Sequence, residues 1–151
     1  MVRFEEEKFE YIIDEMKPLL QEHYKEIAMY KDKISLNPNY ELYQAMADAG
    51  TLHILAARHG TVLVGYCVTF VNKHPHYNDH LYAVNDVVYL DPAYRHSAVA
   101  PEMIAELERM MLEKGVSVMT FHMKTYQPFE TLMDFMGFEK AEYLYSKYIK
   151  D

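Results

Sequence analysis

Two stretches of this sequence hold residues whose type and setting could do chemistry. The first is Asp86, set inside Ala83-Val84-Asn85-Asp86-Val87-Val88. A carboxylate in an apolar strand is costly to bury without a partner, and a carboxylate so placed can hold a cation or accept a proton. The plainer alternative is a strand-edge aspartate that binds a neighbouring loop. The second stretch runs from Val88-Tyr89-Leu90-Asp91-Pro92 through Tyr94-Arg95-His96-Ser97-Ala98-Val99-Ala100-Pro101. There a strand ends at a proline, a short polar loop follows, and a helix opens on small residues. The first N–H groups of a helix have no intrahelical partner, and the helix dipole adds positive potential to them, so this is an anion site suited to a phosphate.

The other reactive residue types weigh less. His74, His76 and His80 lie near Asp79 and could ligate a metal, but Pro75 and the irregular spacing favour a solvated hairpin loop. Cys67 sits mid-strand among apolar neighbours and reads as a buried, inert thiol. The eleven methionines fall mostly on apolar faces and read as core filling. No metal ligand set is assigned.

The elements that must position these residues follow from periodicity. Residues from about Glu7 to Tyr30 repeat apolar side chains at three- and four-residue steps, a helix that Pro18 should bend or break. A short strand at Val2–Phe4 could precede it. Asn37-Pro38-Asn39 opens a second helix through Leu42, Tyr43 and Met46, with Gly50 at its C-terminal end. Thr51–Arg58 and Thr61–Asn72 read as strands joined by a hairpin at His59-Gly60. The second of them is apolar on both faces and should lie centrally, covered on both sides. Leu81–Leu90 is a further strand, and strict alternation puts Asp86 on the same face as Leu90. A helix from about Val99 to Lys114 carries Pro101 in its first turn, where a missing N–H costs nothing. Val116–Met123 reads as a strand, Phe129–Met136 as a short helix closed by Gly137, and Phe138–Ile149 as a closing strand or strand pair. The expected architecture is α/β: a mixed sheet of about six or seven strands with helices on both faces, residues 1–151 forming one domain.

Composition narrows the function. The net charge of −8 argues against a nucleic-acid binder, which needs a basic face, and fits a cationic acceptor better. No apolar run approaches the length of a membrane span, and a single cysteine excludes an intrachain disulfide. A cytoplasmic protein is the expectation.

The loop Arg95-His96-Ser97-Ala98-Val99-Ala100 resembles the cofactor loop of the GNAT N-acetyltransferase superfamily, Arg/Gln-x-x-Gly-x-Gly/Ala. Val88-Tyr89-Leu90-Asp91-Pro92 resembles its strand approach, Leu63-Val64-Gly65-Tyr66 an earlier strand, and Leu132-Met133-Asp134-Phe135-Met136-Gly137-Phe138-Glu139 its C-terminal motif, so that the likeness runs the length of the chain. The resemblance implies an acyl-CoA N-acyltransferase fold and an enzyme that moves an acetyl group from acetyl-CoA to a primary amine by direct attack in a ternary complex. It implies that the backbone of Val88, Tyr89 and Leu90 pairs with the pantetheine arm and that Arg95, His96, Ser97, Ala98, Val99 and Ala100 hold the pyrophosphate. Asp86, where many members carry an acidic residue, would hold the acceptor ammonium and take its proton. His76 and Tyr77 would border the acceptor, which could be a small molecule or a protein. A homodimer is common in the family.

Three positions depart from the pattern. Ala98 replaces the first loop glycine, at a cost of roughly 1 kcal/mol or more if the position needs a positive φ and of little if it is helical. Met133 stands where many members carry a tyrosine that protonates the leaving thiolate. Tyr126 stands where an asparagine is common and could supply the acid, or simply pack; Tyr143 and Tyr145 are weaker candidates of the same kind. The alternative these departures support is a catalytically degenerate member that binds acyl-CoA or a protein partner.

Overall fold

The two-sided apolar pattern of the central strands is met by helices on both faces of one sheet. The computed structural model describes residues 1–151. In chain order the elements are β1 (Val2–Glu7), α1 (Phe9–Ile27), α2 (Tyr40–Asp48), β2 (Leu52–His59), β3 (Val62–His74), β4 (Tyr77–Leu90), a 3-10 turn at Pro92–Tyr94, α3 (Val99–Glu113), β5 (Val116–Thr120) and α4 (Glu130–Phe135). The sheet order is β1-β2-β3-β4-β5. Neighbours are antiparallel except β4 and β5, which the α3 crossover makes parallel.

Alternation along β2 and β3 splits the core into two. Leu52, Ile54, Ala56, Tyr66 and Val68 face α1, where Phe9, Ile12 and Met16 are buried against them. Leu55, Ala57, Cys67 and Val71 face α3 and meet Met103, Leu107, Met110 and Met111. Each Leu, Ile, Val, Phe or Met side chain so removed from water contributes about 1.5–3 kcal/mol. Gly65 serves a close approach: a Cβ there would meet the Tyr89 carbonyl oxygen at 2.8 Å and Leu90 Cδ1 at 2.9 Å, so only glycine lets β3 and the end of β4 come together.

The structure changes four expectations. The sheet has five strands, fewer than the six or seven expected. The missing strand is the last, since Phe138–Asp151 has no regular structure. The strand at Val2 runs on to Glu7 and pairs with Ile54–His59 of β2. Pro18 does not break α1; it lies on the exposed side, where water can take up the carbonyl that its missing N–H leaves free.

Candidate functional site

Asp86 is the extra residue of a β-bulge. Val68 pairs with Val87 and Thr69 with Asn85, so β4 carries one residue more than β3 at this point. The bulge interrupts the strict alternation. Before it, Ala83 faces α3; after it, Val87 and Tyr89 face α1, while Val88 and Leu90 face α3. Asp86 points to the α1–α2 side, where the Tyr43 hydroxyl donates to its Oδ2 at 2.6 Å. The expectation that Asp86 shares a face with Leu90 is therefore corrected: one inserted residue reverses every side chain beyond it. The buried Asn85 amide spans the bulge, donating to the carbonyls of Val87 (3.1 Å) and Val68 (3.4 Å).

Tyr43 reaches Asp86 because Asn39 caps α2, its side chain accepting from the Leu42 N–H at 3.0 Å. That start puts Tyr40, Tyr43 and Ala47 on the sheet-facing side. The Tyr43 ring stands 6.2 Å from both Phe9 and Phe70. Burial, then the bond to Asp86, pushes the Tyr43 hydroxyl above its ordinary pKa, so it stays a donor. Asp86 Oδ1 has no partner in the chain, and the residue is half-buried, not sealed.

Beyond the bulge, β4 runs on alone. The β4–β5 ladder ends at Val84 and Thr120, and the edge of β4 from Asn85 to Leu90 has no strand beside it. This open edge leads into the Asp91–Ala98 loop. The Asp91 N–H donates to the Val64 carbonyl (2.7 Å), and its side chain accepts from Ala93 (2.9 Å). At the head of α3 the N–H groups of His96, Ser97, Ala98 and Ala100 make no hydrogen bond within the chain, and that of Val99 meets Ser97 Oγ at 3.2 Å. Ala98 has φ −66° and ψ −12°, ordinary helical values, so the methyl that replaces a glycine hydrogen brings no backbone strain.

A family model described as the Acetyltransferase (GNAT) family matches residues 11–131, most of the chain. The chain belongs to the GNAT acetyltransferase family. Solved structures agree on the fold. One is an aminoglycoside acetyltransferase from an uncultured soil metagenomic sample, in complex with sisomicin: TM-score 0.76, 12% identity, covering 99% of this chain and 95% of that one. A predicted acetyltransferase from Clostridium acetobutylicum, with acetyl-CoA, gives TM-score 0.73 at 12% identity over 97% and 96% of the two chains. A ribosomal-protein-alanine N-acetyltransferase from Brucella melitensis gives 0.68 at 16% over 100% and 99%. No match to a curated protein is found.

Within this GNAT fold the expected residues separate into groups. Asp86, Val88, Tyr89 and Leu90 share the open half of β4, and His96 to Ala100 lie at the head of α3 that follows it. The Arg95 side chain is engaged inside the protein: its guanidinium holds Glu26 through two bonds of 2.7 and 2.9 Å, and Nε donates to the Leu90 carbonyl at 2.7 Å. His76 and Tyr77 lie at the β3–β4 turn, and the nine residue steps from Tyr77 to Asp86 span about 30 Å of extended strand. There the His74 ring lies tilted against those of Tyr77 and Tyr82, at 4.8 and 4.7 Å, and His80 Nδ1 lies 2.9 Å from Ser117 Oγ. The structure does not bring this cluster to Asp86. Tyr126 is half-exposed, and its hydroxyl donates to the Ile27 carbonyl at the end of α1. Met133 is buried. Cys67 is fully buried, which pushes its thiol up to about 12 and keeps it protonated. No helix is long and apolar enough to cross a membrane.

Sequence reasoning missed three residues: Tyr43, Asn85 and Glu26. Tyr43 was legible only as part of an apolar stripe. The available signal was the demand of Asp86 for a donor, which a tyrosine on a sheet-facing helix stripe can meet.

Proposed function

We propose that the protein is an N-acetyltransferase that moves an acetyl group from acetyl-CoA to a primary amine by direct attack in a ternary complex, residues 1–151 acting as one unit. The observation that carries this reading is the coincidence, on one strand, of a bulged carboxylate with an unused oxygen and an open edge that ends at a set of free helix N–H groups. The residues fit the cofactor. Free amides at the head of α3 suit a pyrophosphate, Ala98 is unstrained, and the edge from Asn85 to Leu90 offers backbone groups to an amide-bearing arm.

Acetyl-CoA, when bound, supplies the activated thioester. Asp86 holds the acceptor ammonium with Oδ1 while Tyr43 fixes Oδ2, and it takes the proton that must leave before nitrogen can attack. A backbone N–H of Val88–Leu90 stabilises charge developing on the acyl oxygen. Arg95 orients the loop through Glu26 and Leu90, leaving phosphate binding to the amides. Met133 has no proton to give and the Tyr126 hydroxyl is engaged with Ile27, so the leaving sulfur takes its proton from solvent; release of the Tyr126 bond would make that hydroxyl available as the acid. An amine acceptor is supported by the sisomicin complex of the related fold and by the net charge of −8.

Calorimetric titration with acetyl-CoA, followed by turnover on a panel of polyamines, aminoglycosides and lysine peptides, tests the reading. Binding and turnover that Asp86→Asn abolishes support it. Binding without turnover on any amine points to a degenerate binding protein, and absence of binding overturns the cofactor assignment.

A further inference from the structure

The net charge of the chain and the surface beside Asp86 point in different directions. The face that carries Asp86 continues outward along β3, β4 and β5. Ala83 on β4 and Met119 on β5 pack towards α3, so Tyr82, Val84, Val118 and Thr120 stand on the opposite face, that of Asp86. The register agrees, since Tyr82 pairs with Val118 and Val84 with Thr120. On β3, Phe70 pairs with Val84, and the His74 ring lies 4.7 Å from that of Tyr82. The helices stop short of this shelf. The Tyr43 ring of α2 reaches Phe70 at 6.2 Å, and neither core takes in Tyr82, Val84 or Val118. Val84 is left 41% exposed on an inner strand, and Val118 beside it 38%.

The shelf is apolar and aromatic, and none of its residues is acidic. The next carboxylate along β4 is Asp79, seven residue steps or about 23 Å of extended strand from Asp86. Many of the chain's acidic residues lie elsewhere, on β1, α1 and α3. An ammonium held by the free Oδ1 of Asp86 therefore meets one carboxylate, while the body attached to it lies over rings and methyl groups. A molecule with several ammonium groups would set the others on a surface that offers no counter-charge, and their desolvation would go uncompensated. An aromatic body gains there, both from the area it buries and from packing against the rings of Tyr82 and His74.

The geometry points to an acceptor with a single primary amine on an aromatic body, which lies along this shelf with its ammonium at Asp86. The inference rests on the acetyltransferase reading and narrows it, because it sets polyamines and aminoglycosides aside as preferred acceptors. Val84, two residue steps from Asp86, takes the near part of the body. Tyr82, four steps or about 13 Å of strand away, takes the far end. Phenylalkylamines offer this chemistry, and so does the N-terminus of a peptide whose first side chains are aromatic.

Steady-state kinetics of the full chain with acetyl-CoA test the assignment on butylamine, phenylbutylamine, an uncharged Ala-Tyr-Phe peptide amide, spermidine and sisomicin. The phenyl ring should raise kcat/KM over butylamine by about tenfold or more, chiefly through KM, with spermidine and sisomicin below it. Preference for the peptide over phenylbutylamine supports the assignment equally and names the source of the body. Tyr82→Ala should erase the gain from the ring and leave butylamine unchanged. Val84→Glu, at an exposed position, should turn the preference towards spermidine, a reversal that general damage to the fold cannot produce because it lowers every acceptor together. Spermidine or sisomicin as the best acceptor of the unaltered chain overturns the shelf assignment and leaves the acetyltransferase reading standing. So does a ring gain that survives Tyr82→Ala. Turnover on no amine overturns that reading, and the assignment with it.

Discussion

Arg58 and Asp86 are both charged residues on inner strands, and both sit where the register breaks, yet they are treated in opposite ways. Arg58 lies in β2 where β3 carries an extra residue, and is 8% exposed. It donates twice to Glu7 (2.7 and 2.8 Å), twice to Glu15 (2.9 and 3.0 Å) and once to the Thr61 carbonyl (2.9 Å). Those carboxylates, Glu7 first, hold its charge firmly. Every donor of that guanidinium is spent on joining β1, α1 and β2. Asp86 has one bond, from Tyr43, and keeps an oxygen free. A saturated charge is structural, because nothing is left to offer a ligand. A charge with an open valence beside an open strand edge can act on something else.

The largest effect that would break this contrast is on stability. Arg58→Ala should cost about 3 kcal/mol or more, because it leaves Glu7 and Glu15 without their partner; urea unfolding reads it as a lower midpoint. The acetyl-CoA dissociation constant should stay within twofold below that midpoint. If acetyl-CoA binding fell instead, Arg58 would belong to the site. Asp86→Asn should do the reverse, lowering kcat/KM for an amine acceptor by about 100-fold, the lower end of what a positioned base contributes, while the unfolding midpoint moves little. Tyr43→Phe sharpens the same side of the contrast: loss of one hydrogen bond should cost about 1 kcal/mol of stability and about tenfold in kcat/KM, with KM less affected than kcat.

A pH experiment probes the structural side. Glu6 accepts a hydrogen bond from His53 and pairs with Lys114, at 3.0 and 2.9 Å, and these partners, His53 first, hold its carboxyl at about 2 against an ordinary 4.5 although burial opposes them. A carboxyl lowered in the folded state adds stability that is complete above pH 4.5 and is lost as pH falls towards 2. Glu6→Gln should therefore flatten the acid limb of a thermal-unfolding series between pH 4.5 and 2, leaving neutral activity unchanged. The smallest effect expected is at Ala98→Gly: with helical φ at that residue, acetyl-CoA affinity should change less than threefold. A larger gain would mean that the methyl obstructs the phosphate.

The order of the major helices and strands, the centrality of β3 and the loop before α3 could be read from the chain, because each rests on local periodicity, an end signal or backbone chemistry close in sequence. Val62–Val71 is apolar at every position but Gly65 and Thr69, and such a run has one stable place, in the middle of the sheet. The head of α3 with its free N–H groups follows from the Pro92 and small-residue pattern, since those donors are main-chain groups that side-chain changes leave in place.

What the chain did not reveal depends on pairing between distant residues. The bulge at Asp86 exists only relative to β3, so counting by twos along β4 put Asp86 on the face of Leu90 when it belongs on the face of Tyr43. The partners of the charged groups, Tyr43 for Asp86 and Glu26 for Arg95, lie 43 and 69 residues away, and no local pattern joins them. The closing strand failed for the same reason. Phe138–Ile149 has the composition of a strand, but a strand is defined by the edge it meets, and here Ser146 and Tyr148 rest on the α1–α2 connection instead.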